Sequence, residues 1–311
     1  MRASSILIVH AEKKTQRVLA RVLGATGFPV DVADDLGAAA AIVAERGPAL
    51  VVVDAAAGLS SAAEAFFTEC KARGAVACMT LLGEDGVQHA PKLLQMGAVT
   101  NLLSHPMPML GEELIVTAQK LLRNDLFGAE KYLLWGTTIH EHVITRSSDR
   151  PPLVAQLAEA VKRAGQSNRI ASMAMLAADE LISNAVHNAP VDEHGTHYRA
   201  DVARDVDFAL EGRHAVTLRW GCDARYLAVE VTDRFGSLES ETIVEALRRS
   251  EVRESGGGAG MGIALTYRSC DHIVFNLSPG ARTEIIALVD VRYPPSERML
   301  ASSYNVFVER T

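Results

Sequence analysis

Over the first 123 residues, apolar and β-branched residues gather in short runs: Ile6–Val9, Val30–Val32, Leu50–Val53, Ala75–Leu82 and Val99–Leu103. Runs of this length, bounded by polar stretches, predict strands buried on both faces. Helical spacing of apolar residues between them predicts helices over 15–27, 37–45, 61–72, 87–96 and 110–123. Five strand–helix repeats predict an α/β domain, a doubly wound five-stranded parallel sheet whose working edge lies at the carboxyl ends of its strands.

After Asp125 the pattern changes. Residues 138–146, TIHEHVITR, alternate as a strand, and 147–152 form a polar turn ending in Pro151-Pro152. Helices are predicted over 153–164 and 169–187, separated by Gly165–Asn168. Two hairpins follow, His214–Trp220 with Tyr226–Asp233 and His272–Leu277 with Thr283–Val289, interrupted by helices over 241–250 and 262–269. Strands and helices without regular alternation predict an α+β two-layer sandwich, different in class from the first half. The predicted division is 1–123, a linker over 124–136, and 137–311. No internal repeat is visible.

The 311 residues, 48% hydrophobic and 22% charged, are enough for two folded domains and exclude collagen-like or disordered character. A formal net charge of −7, with both signs mixed along the chain, argues against a nucleic-acid or anionic-membrane partner. Cys70, Cys78, Cys222 and Cys270 form no CxxC pair, so neither a disulfide framework nor a zinc site is signalled. The apolar run Ile6–Val9 is too short for a signal peptide, and no stretch reaches the ~18 apolar residues of a membrane span, so a cytoplasmic location is expected.

Candidate chemistry concentrates in the second half. In ADELISNAVHNAP, Glu180 and Asn184 are four apart and share one helix face, where a carboxylate and an amide oxygen suit Mg²⁺ and a water. The bland alternative is a solvated polar face. Asp233 ends the strand VEVTD and is followed by Arg234-Phe235-Gly236; there it can accept from an exocyclic amine such as that of adenine, or simply begin a turn. Gly256–Gly258, Gly260 and Gly262 run into a predicted helix, where backbone N–H groups can cradle phosphate; a hinge is the competing reading.

The ordered set of carboxylate/amide helix, strand-end Asp, glycine loop opening a helix, and a hairpin carrying Thr283 resembles the GHKL superfamily of Bergerat-fold ATP-binding domains. The resemblance covers about 138–292. It places Glu180 and Asn184 in the N box, Asp233 and Gly236 in the first glycine box, Gly258, Gly260 and Gly262 in the second, and Thr283 on the last hairpin. It implies ATP and Mg²⁺ as cofactors, with Asn184 as metal ligand and Glu180 as general base. The family's first glycine box usually reads D-x-G-x-G, whereas Phe235 stands at its third position here. Arg248, Arg249 and Arg253 lie in the segment that would cover the phosphates.

No helical dimerisation hairpin precedes this region, and His140 and His142 fall on the alternating strand, which is unlike a histidine kinase. The layout is most similar to anti-sigma-factor serine/threonine kinases, which implies a partner signalling protein as phosphoacceptor or docking partner and is compatible with a homodimer. A non-catalytic nucleotide-binding scaffold and an atypical histidine kinase without its own phosphoacceptor hairpin are the other readings.

The first half resembles a response-regulator receiver domain, with Asp54 closing the third strand where the phosphoaccepting Asp belongs. The rest of the acidic site departs from the family: His10 and Ala11 replace the acidic pair, Leu82 the Thr/Ser, and His105 the Lys before Pro106. Glu12 falls at the start of the first helix. Without neighbouring carboxylates Mg²⁺ lacks ligands, so the expectation is a pseudo-receiver that docks or regulates.

Overall fold

A computed structural model describes residues 5–73, 77–83, 86–95, 101–104, 111–251, 261–292 and 303–309. The chain divides into two units, Met1–Leu126 with Asn305–Thr311, and Phe127–Tyr304.

In the first unit the strands are β1 (Ile6–Val9), β2 (Val30–Ala33), β3 (Leu50–Asp54), β4 (Ala77–Leu82) and β5 (Asn101–Ser104). They pair in parallel in the order β2-β1-β3-β4-β5. The helices are α1 (Lys13–Gly24), α2 (Leu36–Arg46), the short α3 (Ala55–Gly58), α4 (Ala63–Ala72), α5 (Gly86–Gln95) and α6 (Gly111–Arg123). Each residue of β1 is fully buried, as a strand covered on both faces requires. Asp35 caps α2 by accepting from the Ala38 N–H, and Gly47, in the left-handed region at φ 61°, ends it. This is the doubly wound order that places ligand sites at the carboxyl edge, next to β1 and β3.

The second unit holds β6 (His140–Ile144), α7 (Arg150–Arg163), α8 (Asn168–Ser183), β7 (Val216–Cys222), β8 (Tyr226–Asp233), α9 (Ser240–Glu251), α10 (Met261–Ser269), β9 (His272–Ser278) and β10 (Arg282–Asp290). Its strands are antiparallel throughout, in the order β6-β7-β8-β10-β9. Helix α8 packs against α7, α10, β8 and β10 and anchors the helical layer. Its start is capped by the Ser167 hydroxyl, which accepts from the Ile170 N–H at 3.3 Å.

Three features depart from the sequence expectation. Pro151 and Pro152 do not close a turn ahead of the helix; they occupy its first turn, where their missing N–H groups would have no intrahelical acceptor. The expected linker 124–136 belongs to the second unit from Phe127 onward, and its part around Ala129 is packed against the sheet, where buried carboxylates accept its backbone N–H groups. The segment Asn305–Thr311, expected in the second domain, belongs to the first unit. It carries most of a strand absent from the sequence reading, β11 (Ser303–Val308). There Asn305 Nδ2 donates to Glu113 Oε1 at 3.1 Å, and the Lys120 ammonium lies 4.5 Å from the centroid of the buried Phe307 ring.

Candidate functional site

A cavity of about 200 Å³ opens in the second unit between α8, β8, β10 and α10. Leu181, Val231, Ile263 and Ile285 make its walls apolar, and Asn184, Asp233 and Thr283 supply polar groups. Such a lining, apolar with a few convergent polar groups, is the usual make-up of a small-molecule site.

Asp233 is 5% exposed. Its Oδ1 accepts from the N–H groups of Phe235 at 2.8 Å and Gly236 at 3.2 Å, so the turn-forming reading of this residue is correct. Both bonds use the same oxygen. Burial pushes the carboxyl up to about 6 against the pull of those two donors. Thr283 stands opposite Asp233 in the β8–β10 ladder, and its buried hydroxyl faces the Asp233 carboxyl and helps hold the carboxyl's pKa down.

Helix α8 does not stop at Ser183 but runs into a π-turn, Asn184–Asn188, closed by the Ala189 N–H donating to the Asn184 carbonyl at 2.9 Å. Such turns recur at functional sites. Asn184 Oδ1 accepts from Asn188 Nδ2 at 2.8 Å, while its own buried Nδ2 has no partner. Burying a polar atom unpaired costs about 1–3 kcal/mol. One such atom, Asn184 Nδ2, therefore belongs to a residue that lines the cavity.

Glu180 sits one turn before Asn184. Burial, then the neighbouring Asp179 carboxylate, raises its carboxyl above the ordinary range, and Arg150 and Arg204 oppose the shift. Gly262, in the first turn of α10, lies against this pair: a Cβ there would stand 2.5 Å from Glu180 Oε2 and 3.1 Å from Asn184 Nδ2. Glu180, Asn184 and Gly262, distant in sequence, are thus brought together, and Asn184 shares the cavity with Asp233 and Thr283. Gly258 and Gly260, with Gly256, Gly257 and Arg253, lie outside the described residues.

Gly236 has a packing reason to be glycine. Its φ is 59°, and a Cβ there would meet the backbone nitrogens of Ala281 at 2.6 Å and Arg282 at 2.7 Å. Arg213 braces the same turn by donating to the carbonyls of Arg234, Phe235 and Gly280. Arg248 and Arg249 both pair with Glu245 on the exposed side of α9.

The segment 190–211 escaped sequence reasoning because it has no periodicity to read. It brings His197 and Ala200 to the cavity wall, with His197 Nδ1 2.5 Å from the Asn188 carbonyl. Thr242, hidden within a predicted helix, also lines the cavity. His140 and His142 lie on β6 as expected, and His140 stacks on Trp220 with ring centroids 4.1 Å apart.

In the first unit Asp54 ends β3, and its Oδ2 accepts from the Ala56 N–H at 3.0 Å. His10 Nδ1 accepts from the Glu12 N–H at 2.9 Å, which puts the ring proton on Nε2, 3.7 Å from Asp54 Oδ1. An imidazole ring, not a carboxylate, thus faces Asp54. Glu12 precedes α1, and its exposed carboxylate accepts from the Thr15 hydroxyl at 2.6 Å. Leu82 is buried. Among the described residues no group of three or more His, Cys, Asp or Glu side chains is placed to hold a metal. His105 and Pro106 lie outside the described residues.

Over its N-terminal part the chain is similar to solved response-regulator receiver domains. The NtrX receiver domain of Brucella abortus is 24% identical over 38% of this chain and 98% of that one, with a TM-score of 0.33. A receiver domain from Clostridium thermocellum is 17% identical over 39% and 94%, also at 0.33. NtrX of B. abortus in complex with ATP is 20% identical over 57% of this chain and 41% of its own, at 0.34. No protein-family model and no curated protein matches the chain. Among the described residues no helix is long and apolar enough to cross a membrane.

Proposed function

We propose that the second unit is a Bergerat-fold ATP-binding domain of the GHKL type, which binds Mg-ATP and phosphorylates Ser or Thr on a partner signalling protein, and that the first unit is a pseudo-receiver that docks or regulates. The observation that carries this reading is the convergence of Asn184, Asp233 and Thr283 on one apolar-walled cavity, with Glu180 and Gly262 beside it.

Bound ATP would supply the transferable γ-phosphoryl group, with Mg²⁺ neutralising its charge. The protein's own groups divide the remaining work. Asp233 Oδ2, spared by the two turn bonds on Oδ1, is the acceptor for the adenine amine. Asn184 Oδ1 keeps a second lone pair beyond its bond from Asn188, which suits one position around magnesium. The glycine-led first turn of α10 offers N–H groups to phosphate oxygens. Glu180, its basicity raised by burial, takes the proton from the attacking hydroxyl.

Incubation of the full chain with labelled ATP, Mg²⁺ and candidate partner proteins tests the reading. Transfer that disappears in Glu180→Gln, with nucleotide affinity retained, supports it. Transfer at the parent rate in that variant removes Glu180 from the role of base.

A further inference from the structure

The face of the second sheet opposite the cavity carries a buried polar row. Successive residues of a strand point to opposite faces, so β8 and β10, which turn Asp233 and Thr283 toward the cavity, turn Glu230 and Glu284 away from it. Glu230 and Glu284 are 2% and 3% exposed. In register, Arg219 of β7 lies beside Glu230, and Asn276 of β9 beside Glu284, donating to its Oε1 at 2.7 Å.

The start of the second unit folds onto this row. The Gly128 N–H donates to both oxygens of Glu284, at 2.9 and 3.0 Å, and the Ala129 N–H to Glu230 Oε2 at 2.7 Å. Arg219 completes the seat, bonding both oxygens of Glu230 and reaching Glu130 at 3.0 Å and Glu141 at 3.3 Å. Gly128 adopts φ 107°, a conformation that side-chain-bearing residues rarely take. Two buried carboxylates are a costly way to fasten a chain segment, since apolar contacts of similar volume attach as well or better. Their use joins the backbone of 127–133 to two particular strands, the ones that form the floor of the cavity.

We propose that residues 127–133 are a latch coupled to the cavity: seated on Glu230 and Glu284, they brace β8 and β10 and so pre-order Asp233 and Thr283 for a nucleotide. The proposal rests on the nucleotide reading above. Because coupling between two sites is reciprocal, nucleotide tightens the latch by the factor by which the latch tightens nucleotide binding.

The test is made on the full chain. Amide exchange over 127–133 is followed by mass spectrometry with and without Mg-ATP, and ATP affinity is measured for the parent, Glu284→Gln and Gly128→Ala. The first variant weakens the seat from the sheet and the second from the segment. Should Glu284→Gln fail to fold, Gly128→Ala leaves β8 and β10 untouched and decides the affinity arm. The latch predicts slower exchange at Gly128 and Ala129 when nucleotide is bound, and ATP affinity weakened at least about fivefold in the folded variants. Nucleotide binding at parental affinity in Gly128→Ala, with exchange over 127–133 indifferent to nucleotide, overturns the latch and leaves the nucleotide site standing. No binding of ATP by the parent chain overturns both.

Discussion

Gly262 packs against Glu180 so closely that a Cβ would stand 2.5 Å from Glu180 Oε2. The contact joins the first turn of α10 to α8, bringing together residues of two motifs distant in sequence. Because the obstructing atom is the free end of a flexible side chain, Gly262→Ala is expected to fold, with a melting temperature within about 4 °C of the parent. The displaced carboxylate should lower phosphoryl transfer by about 10²-fold, the scale of a ~1 Å misplacement. Melting curves and turnover measured on one preparation check both halves.

Asp233 should make nucleotide affinity pH-dependent. Its carboxyl is pushed up to about 6 by burial, and only the ionised form offers Oδ2 as an acceptor without a proton in the way. Affinity is therefore full above pH 7 and falls as the pH drops through 6. Asp233→Asn should weaken ATP binding by about 5- to 150-fold at pH 7.5 and show no such inflection. Titrations at pH 5.5 and 7.5 on both proteins measure it.

Glu230 should give the second unit a distinctive stability profile. Burial and the neighbouring Glu284 raise its carboxyl from an ordinary 4.5 to about 7. Its folded pKa exceeds the unfolded one, so the stabilisation from its protonated form is complete below about 4.5 and is lost as the pH rises through 7. His187 acts oppositely: burial lowers it from 6.5 to about 4, so its contribution is lost as the pH falls through that range. Urea unfolding of the parent and Glu230→Gln should show a shallower decline between pH 5 and 7 in the variant, whose side chain is neutral throughout.

The first unit should ignore small phosphodonors. His10 faces Asp54, and Glu12 is turned toward Thr15, so among the described residues no group of carboxylates stands beside Asp54 to hold a metal against the charge of an incoming phosphoryl group. Acetyl phosphate or beryllofluoride with Mg²⁺ is expected to leave Asp54 unmodified, and Asp54→Ala to behave like the parent in partner assays. Mass spectrometry of the treated chain checks the outcome, a hydroxylamine-sensitive phosphoryl adduct on Asp54 being the contrary result.

What the sequence made legible was what local pattern encodes. The continuous apolar runs Ile6–Val9 and Leu50–Val53 announce buried parallel strands, and Asp233 and Thr283 stand at strand ends where their neighbours already define a hairpin. Partners distant in sequence were hidden. Nothing in Phe127–Leu133 is periodic, and Gly128 meets its acceptor on Glu284, 156 positions away. Pro151-Pro152 misled because proline ends a helix interior yet suits its first turn. The wall contributed by His197 depends on the turns of 190–211, which tertiary bonds such as His197 to Asn188 hold in place.

The central claim is that the cavity beside Asn184, Asp233 and Thr283 is an adenine-nucleotide site. Equilibrium titration of the full chain with Mg-ATP tests it most directly. The account predicts saturable binding of one ATP per chain with a Kd in the range of roughly 1 μM to 1 mM, competed by ADP and weakened in Asp233→Asn. A parent chain that takes up no ATP at millimolar concentration, or an Asp233→Asn chain that binds it as tightly as the parent, would contradict the account.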